Sequence, residues 1–288
     1  MMTQQYYKSN VKPIFCPGCG DYGVNAALTK AFVDLQLERE NVVIVSGIGC
    51  SSSMPHTFAT YGFHSLHGRA LAVAEGIKLA NSKLTVVATG GDGDGYGIGL
   101  NHFIHAARRN VDITYVVMDN EIYGLTTGQA SPTSGMGHKT KSTPFGVIEK
   151  PINPIAMAIT AGATFVARGF SGDPIFLADL IAKGIKHKGF SLIDVESPCV
   201  SFNKVNTFEW ARRVVYKLDE SHDKSNMAVA LDKAFEFDRT PEKFATGIFY
   251  ETERPTYEDL AESLKKGTLA GSRVTDEEAE LFLNEYAV

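Results

Sequence analysis

Four short apolar runs punctuate the chain: Val42 to Ser46, Leu84 to Ala88, Ile113 to Met118 and Ser191 to Val195. Runs of this length and composition predict buried parallel strands. Around them apolar positions recur at helical spacing, over Val24 to Leu37, Ala70 to Ala80, Leu100 to Arg109, Pro154 to Ala161 and Pro174 to Lys188. Strand alternating with helix predicts an α/β fold, a parallel sheet covered by helices on both faces. Ligands of such sheets sit at the carboxyl ends of the strands, where this chain reads GIGCSS, TGGDGD and MDNEIYGL.

Two stretches break the alternation. Residues 126–146, TTGQASPTSGMGHKTKSTPFG, have the Gly, Ser, Thr and Pro content of a loop. A loop that long beside a candidate site points to function. From about Asn203 the chain turns charged and helical, with no chemistry of its own, and reads as a tail that covers the surface or meets a partner. The organisation is therefore a functional α/β unit over residues 1–202 and an extension over 203–288, without internal repeats.

Composition narrows the classes. The chain has 288 residues, 44% hydrophobic and 21% charged, as ordinary globular proteins are. A formal net charge of −5 argues against a nucleic-acid surface. No apolar run nears the roughly 18 residues of a membrane span, and the N-terminus lacks the apolar core of a signal peptide. A cytoplasmic location is expected.

Gly18, Gly20 and Gly23 match a dinucleotide fingerprint. That fingerprint needs a buried strand before it, and Val11-Lys-Pro-Ile-Phe-Cys-Pro, with two prolines, does not supply one. The turn at residue 90 differs. LTVVAT runs into Gly-Gly-Asp-Gly, where the backbone is bare enough to close on a bulky anion. Asp92 would repel a phosphate unless a divalent cation lay between them. Magnesium takes oxygen ligands and is commonly shared between one or two carboxylates and substrate phosphates. A second donor, Asn120, stands 28 positions on, at the end of the next strand. The alternative is a tight strand-to-helix turn with no ligand; the paired strand ends favour the metal.

GDG followed at this interval by Asn resembles the magnesium–thiamine diphosphate motif of thiamine-dependent enzymes. The resemblance implies that Asp92 and Asn120 bind the metal with their side chains and Ile122 with its carbonyl. The motif usually ends Asn-Asn; here it ends Asp119-Asn120, and the ligating second position is kept.

Four cysteines remain: Cys16 and Cys19 in CPGC, Cys50 in GIGCSS and Cys199 in ESPC. Thiolates suit zinc or an iron–sulfur cluster, and buried structural thiols are the third possibility. CPGCGDYG, SGIGCSS, HGRALAVAEGIKLAN, GGDGDGYGIGLNHFIHAARRN and DNEIYGLTTGQASPT together resemble the beta subunit of 2-oxoacid:ferredoxin oxidoreductases, over most of residues 10–200. That resemblance implies one 4Fe-4S cluster on Cys16, Cys19, Cys50 and Cys199. It also implies thiamine diphosphate contacts from Ile48, Gly49, Cys50, Ser51, His67, Gly93 and Asp94, with Gly124 and Leu125 closing over the diphosphate. GLTTGQASPT is closer to the 2-oxoglutarate-acting branch than to the pyruvate-acting one. Some relatives carry a lysine at the position of Ser53; if it helps hold the substrate carboxylate, its work is done elsewhere here.

The implied reaction is coenzyme A-dependent oxidative decarboxylation of 2-oxoglutarate to succinyl-CoA, with electrons leaving through the cluster to a ferredoxin. Run backwards it would fix carbon dioxide. The implied assembly is a dimer of heterodimers in which a separate alpha subunit supplies the glutamate that contacts the aminopyrimidine. Three other readings stand beside it: a pyruvate or broad 2-oxoacid oxidoreductase subunit, a non-redox thiamine-dependent decarboxylase subunit with structural zinc, and a non-catalytic electron-transfer module. His102 and His105, one helical turn apart, read as packing residues because no third ligand accompanies them.

Overall fold

A computed structural model describes residues 1–265 and 267–287. Ten strands occur in it: β1 (Val42–Ser46), β2 (Tyr61–His64), β3 (Thr85–Gly91), β4 (Thr114–Asp119), β5 (Ile122–Tyr123), β6 (Gln129–Ala130), β7 (Phe165–Phe170), β8 (Ser191–Glu196), β9 (Val215–Lys217) and β10 (Phe244–Glu251). Eight form one sheet in the order β2-β1-β3-β4-β8-β7-β10-β9, and β5 and β6 make a separate two-stranded ribbon. From β2 to β7 every pairing is parallel; β10 then runs antiparallel to β7, so the sheet is mixed at one side.

Alternation along the strands divides the interior in two. Val43, Val45, Val86, Ala88, Tyr115, Val117 and Leu192 point to one face. There they meet helices α2 (Ala70–Ala80), α3 (Leu100–Arg109), α4 (Pro154–Ala161) and α6 (Met227–Ala234). Val42, Ile44, Val87, Val116, Met118, Ile193 and Val195 point to the other, against α1 (Asp21–Leu35) and α5 (Pro174–Lys186). Helix α1 starts three residues before the apolar periodicity, because Asp21 at its first turn is buried and held by the Ser197 hydroxyl. No strand precedes Gly18. Gly20 and Gly23 instead let α1 lie against the backbone at Ser197 and Ser171, which a Cβ would meet at 2.7 and 2.1 Å.

Residues 203–288, expected to be helical and irregular, add β9 and β10 to the main sheet. Edge strand β2 is exposed at all four residues. Among the described residues no helix is long and apolar enough to cross a membrane.

Candidate functional site

The carboxyl ends of β1, β3 and β4 open on a cavity of about 220 Å³. It is lined by Ile48, Gly49, Cys50, Ser51, His67, Asp92, Gly93, Asp94, Asn120, Ile122, Gly124 and Leu125, which are the residues the sequence assigns to thiamine diphosphate and magnesium. Asp21, Gly91, Met118, Tyr123 and Thr126 complete the wall. The cavity exists because β3 and β4 pair in register and carry Asp92 and Asn120 to adjacent strand ends.

After β3 the chain makes a wide helical turn over Gly93–Ile98, with the Gly99 N–H reaching back five residues to the Asp94 carbonyl. The glycines of this turn do more than bare the backbone to a ligand. A Cβ on Gly93 would lie 2.1 Å from the Tyr123 ring, whose hydroxyl donates to the Gly93 carbonyl at 3.1 Å. Glycine there admits an aromatic wall.

Asp94 is 2% exposed, and its Oδ1 accepts from the Ile48 N–H (2.8 Å) and the Gly68 N–H (2.7 Å) and pairs with His67 Nδ1 (2.8 Å). One carboxylate oxygen thus pins the loops after β1 and β2 to the turn after β3, and engages His67 through Nδ1, so that Nε2 is the ring nitrogen left for the cavity among the described residues. The fit is close: a Cβ on Gly47 would stand 1.9 Å from Asp94 Oδ2.

Around Asp92 the acids crowd. Burial pushes the Asp92 carboxyl up to about 6. Burial, and then Asp92, hold Asp119 well above the carboxylate range and raise Glu121 to about 8. Burial, followed by Glu121, does the same to Glu196. Asp194 adds a further buried carboxylate beside them, and Arg168 Nε donates to its Oδ2 at 3.0 Å. Thr133 Oγ1 lies 2.8 Å from both Asp92 Oδ2 and Asp119 Oδ1. A hydroxyl has one proton to give, so Thr133 can donate to only one of the two carboxylates at a time and holds them together across its oxygen. Glu121 sits between Asn120 and Ile122 with φ +55, a left-handed conformation costing roughly 1 kcal/mol for such a residue. Its N–H donates to Asp119 Oδ1 and its carbonyl accepts from the Ser134 hydroxyl.

The donor chemistry fits the groups implied by the sequence. Asp92, the Asn120 amide and the Ile122 carbonyl are hard oxygens in a carboxylate-rich setting short of positive charge, which suits magnesium. Ser51 Oγ is buried, lines the cavity and has no hydrogen-bond partner among the described residues, as expected of a hydroxyl meant for a bound anion.

The cysteines gather beside the same cavity. The Cys19 N–H donates to the Cys16 carbonyl, and the Gly20 N–H to the Pro198 carbonyl, which brings CPGC to the Cys199 loop. A Cβ on Gly124 would lie 3.6 Å from Cys199 Sγ and 3.8 Å from Cys50 Sγ. Burial first, then Asp21, raises the Cys50 thiol to about 12 and Cys19 further still. Four sulfurs in one region are a soft donor set suited to an iron–sulfur group. Among the described residues no three His, Cys, Asp or Glu side chains converge on a single ion.

Sequence reasoning passed over Thr133, Tyr123, Asp21 and Asn203. Thr133 lies in the 126–146 loop, whose composition signalled a role without showing which residue held it. Asp21 and Tyr123 stand inside CPGCGDYG and DNEIYGLTTGQASPT with no role assigned to them, and Asn203 carried no motif. Ser53 is buried, with its hydroxyl on the Cys50 carbonyl at 3.2 Å.

A glycine-and-aspartate turn and an asparagine, on neighbouring parallel strand ends around one cavity, define the thiamine diphosphate-binding class of enzymes. Residues 47–195 match the thiamine pyrophosphate enzyme C-terminal TPP binding domain, and residues 199–266 the C-terminal segment of the pyruvate ferredoxin oxidoreductase beta subunit. The 2-oxoacid:ferredoxin oxidoreductase subunit beta of a Sulfolobus species is 49% identical over 85% of this chain and 84% of its own length. The 2-oxoglutarate synthase subunit KorB of Methanocaldococcus jannaschii is 40% identical over 88% and 93%. Among solved structures, the 2-oxoglutarate:ferredoxin oxidoreductase of Magnetococcus marinus, with 2-oxoglutarate, coenzyme A and succinyl-CoA bound, superposes with a TM-score of 0.91 at 42% identity, covering 98% of this chain and 96% of that one. The chain belongs to the 2-oxoacid:ferredoxin oxidoreductase beta subunits.

Proposed function

We propose that the chain is the beta subunit of a coenzyme A-acylating 2-oxoglutarate:ferredoxin oxidoreductase, converting 2-oxoglutarate to succinyl-CoA and carbon dioxide. The observation that carries this reading is the wall shared by the two sites: Cys50 lines the cavity, and Gly124, also in its lining, lies against the sulfurs of Cys50 and Cys199. When bound, thiamine diphosphate supplies the electron sink for decarboxylation and a 4Fe-4S cluster on Cys16, Cys19, Cys50 and Cys199 the one-electron outlet.

In this proposal the chain's own residues position and exclude. Asp92, Asn120 and the Ile122 carbonyl hold magnesium, and the Ser51 hydroxyl donates to the diphosphate. Ile48, Gly49, Gly93, Gly124 and Leu125 enclose the cofactor. Asp94 acts through His67 and the Ile48 loop. An alpha subunit completes the site in a dimer of heterodimers, a ferredoxin takes the electrons, and the complex works in the cytoplasm. Residues 203–288 form an extension that covers the core or meets the partner. With strongly reduced ferredoxin the same site would carboxylate succinyl-CoA. The substrate named for the Magnetococcus structure and for KorB supports 2-oxoglutarate; the broader name of the Sulfolobus relative favours a second reading, activity on several 2-oxoacids.

The test is anaerobic co-production with the alpha subunit, followed by iron, sulfide and zinc analysis and by competition between 2-oxoglutarate and pyruvate. About four iron and four sulfide per chain, with succinyl-CoA formed and ferredoxin reduced, is the expected outcome. Zinc without iron would remove the redox half of the proposal. Equal rates on both acids would support the broader substrate range.

A further inference from the structure

Asn203 is 1% exposed and takes part in four hydrogen bonds, two of which reach the two halves of the site. Its own N–H donates to the Cys199 carbonyl at 3.2 Å. Its side-chain Nδ2 donates to the Asn120 carbonyl at 3.0 Å. Its Oδ1 accepts from the N–H groups of Val205 (2.9 Å) and Asn206 (3.0 Å), which fixes the amide's orientation. One buried residue therefore grips the backbone of a cysteine on one side and of a metal-site asparagine on the other.

The grip falls at a sensitive place. The Asn120 carbonyl belongs to the peptide that leads into left-handed Glu121, and the Ile122 carbonyl follows it. Holding that peptide's orientation fixes ψ of Asn120 and φ of Glu121, two of the torsions that set the Ile122 carbonyl relative to the Asn120 side chain. At the other end the Cys199 carbonyl accepts from the Asn203 backbone N–H, so movement of the Cys199 loop pulls on the same residue.

We propose that Asn203 is a positioning residue that couples the two sites, so that ligation at Cys199 strengthens magnesium–thiamine diphosphate binding at Asn120 and the reverse. This rests on the proposed ligand roles of Cys199 and Asn120. Binding free energies that are coupled are coupled in both directions by the same factor. The link works without moving electrons or protons, and makes a chain loaded with both groups favoured over one loaded with either alone.

The test uses the anaerobically purified complex with the alpha subunit. Asn203→Asp removes the donor to the Asn120 carbonyl and keeps an oxygen for the Val205 and Asn206 N–H groups. Three quantities are read: iron per chain, thiamine diphosphate affinity in magnesium, and the rate at which a chelator strips iron with and without thiamine diphosphate and magnesium. In the wild type, cofactor should slow iron loss. Asn203→Asp should keep its iron, bind thiamine diphosphate about tenfold more weakly and lose the cofactor's protection of the cluster. Wild-type affinity together with intact protection in the variant would overturn the proposal. Should Asn203→Asp fail to fold, Cys16→Ser at the exposed cysteine reads the same coupling from the other end. Thiamine diphosphate affinity unchanged by cluster loss overturns the proposal, and a comparable weakening supports it. A wild-type complex without iron, or without magnesium-dependent cofactor binding, would instead sink the functional reading on which the link depends.

Discussion

Removing the Asp94 carboxylate should unfasten three loops at once, and the cost follows from its bonds. Asp94→Ala leaves the Gly68 N–H, which is buried, and the Ile48 N–H, which is partly so, without an acceptor. An unsatisfied buried donor costs about 1–3 kcal/mol, the lower figure applying to the wetter group, so the two together cost about 3 kcal/mol. Asp94→Asn keeps an oxygen of the same shape but loses charge assistance, which is about half of each bond, and should cost about 1.5 kcal/mol. Gly47→Ala should act like Asp94→Ala, because its new methyl would occupy the place of Asp94 Oδ2, 1.9 Å away. The informative experiment is the cycle of Gly47→Ala, Asp94→Ala and the pair, read by thermal unfolding of the cofactor-free complex and by thiamine diphosphate affinity. For a chain of this size 3 kcal/mol is roughly 6–12 °C in Tm. If both act through one carboxylate, the pair should cost little more than either alone. Strict additivity, or an Asp94→Ala protein as stable as Asp94→Asn, would refute the reasoning.

Other expectations follow from single contacts. Thr133→Val removes the hydroxyl between Asp92 and Asp119 and should weaken magnesium-dependent thiamine diphosphate binding about tenfold, one charged hydrogen bond's worth, as read by equilibrium binding. Arg168→Met leaves Asp194 buried without its guanidinium and should destabilise by about 3–5 kcal/mol; adding Asp194→Leu should recover much of that, measured by denaturant unfolding. Gly93→Ala sets a methyl inside the Tyr123 ring and should abolish cofactor binding, with partial recovery in Gly93→Ala/Tyr123→Ala. Burial, opposed more weakly by Glu251, lowers the His187 pKa below 6.5, so the folded state takes up its proton later than the unfolded chain does. Its contribution is present above pH 6.5 and is lost as pH falls through that window; His187→Gln should flatten this part of a stability-against-pH curve.

What could be read in the sequence tracks how local its cause is. The strands β1, β3 and β4 are buried and appear as near-continuous apolar runs, and β8, SLIDVE, still shows Leu192, Ile193 and Val195 around its buried Asp194. Strand β7, FVARGF, is equally buried, but Arg168 and Gly169 interrupt the run; the arginine is tolerated because Asp194 on the neighbouring strand meets it. Strand β10 hides behind Thr246 and Gly247, and β2 is too exposed to show a buried pattern. The cavity's residues cluster at strand ends, where motif spacing reports on them. Thr133 and Asn203 do not, because their partners lie 41 and 83 residues away and are brought near only by the finished fold.

The uncovered β2 edge has a consequence for how the protein must be made. Tyr61 and Phe63 stand 62% and 49% exposed on a strand whose outer hydrogen-bonding groups have no neighbouring strand among the described residues, with Leu66 just beyond at 75%. Such an edge is a template for joining another copy edge to edge, and the hazard grows with the concentration of unassembled chains. Yield should therefore depend on stoichiometry during synthesis: chains made in excess of whatever covers this edge would be lost to aggregates, however well each had folded.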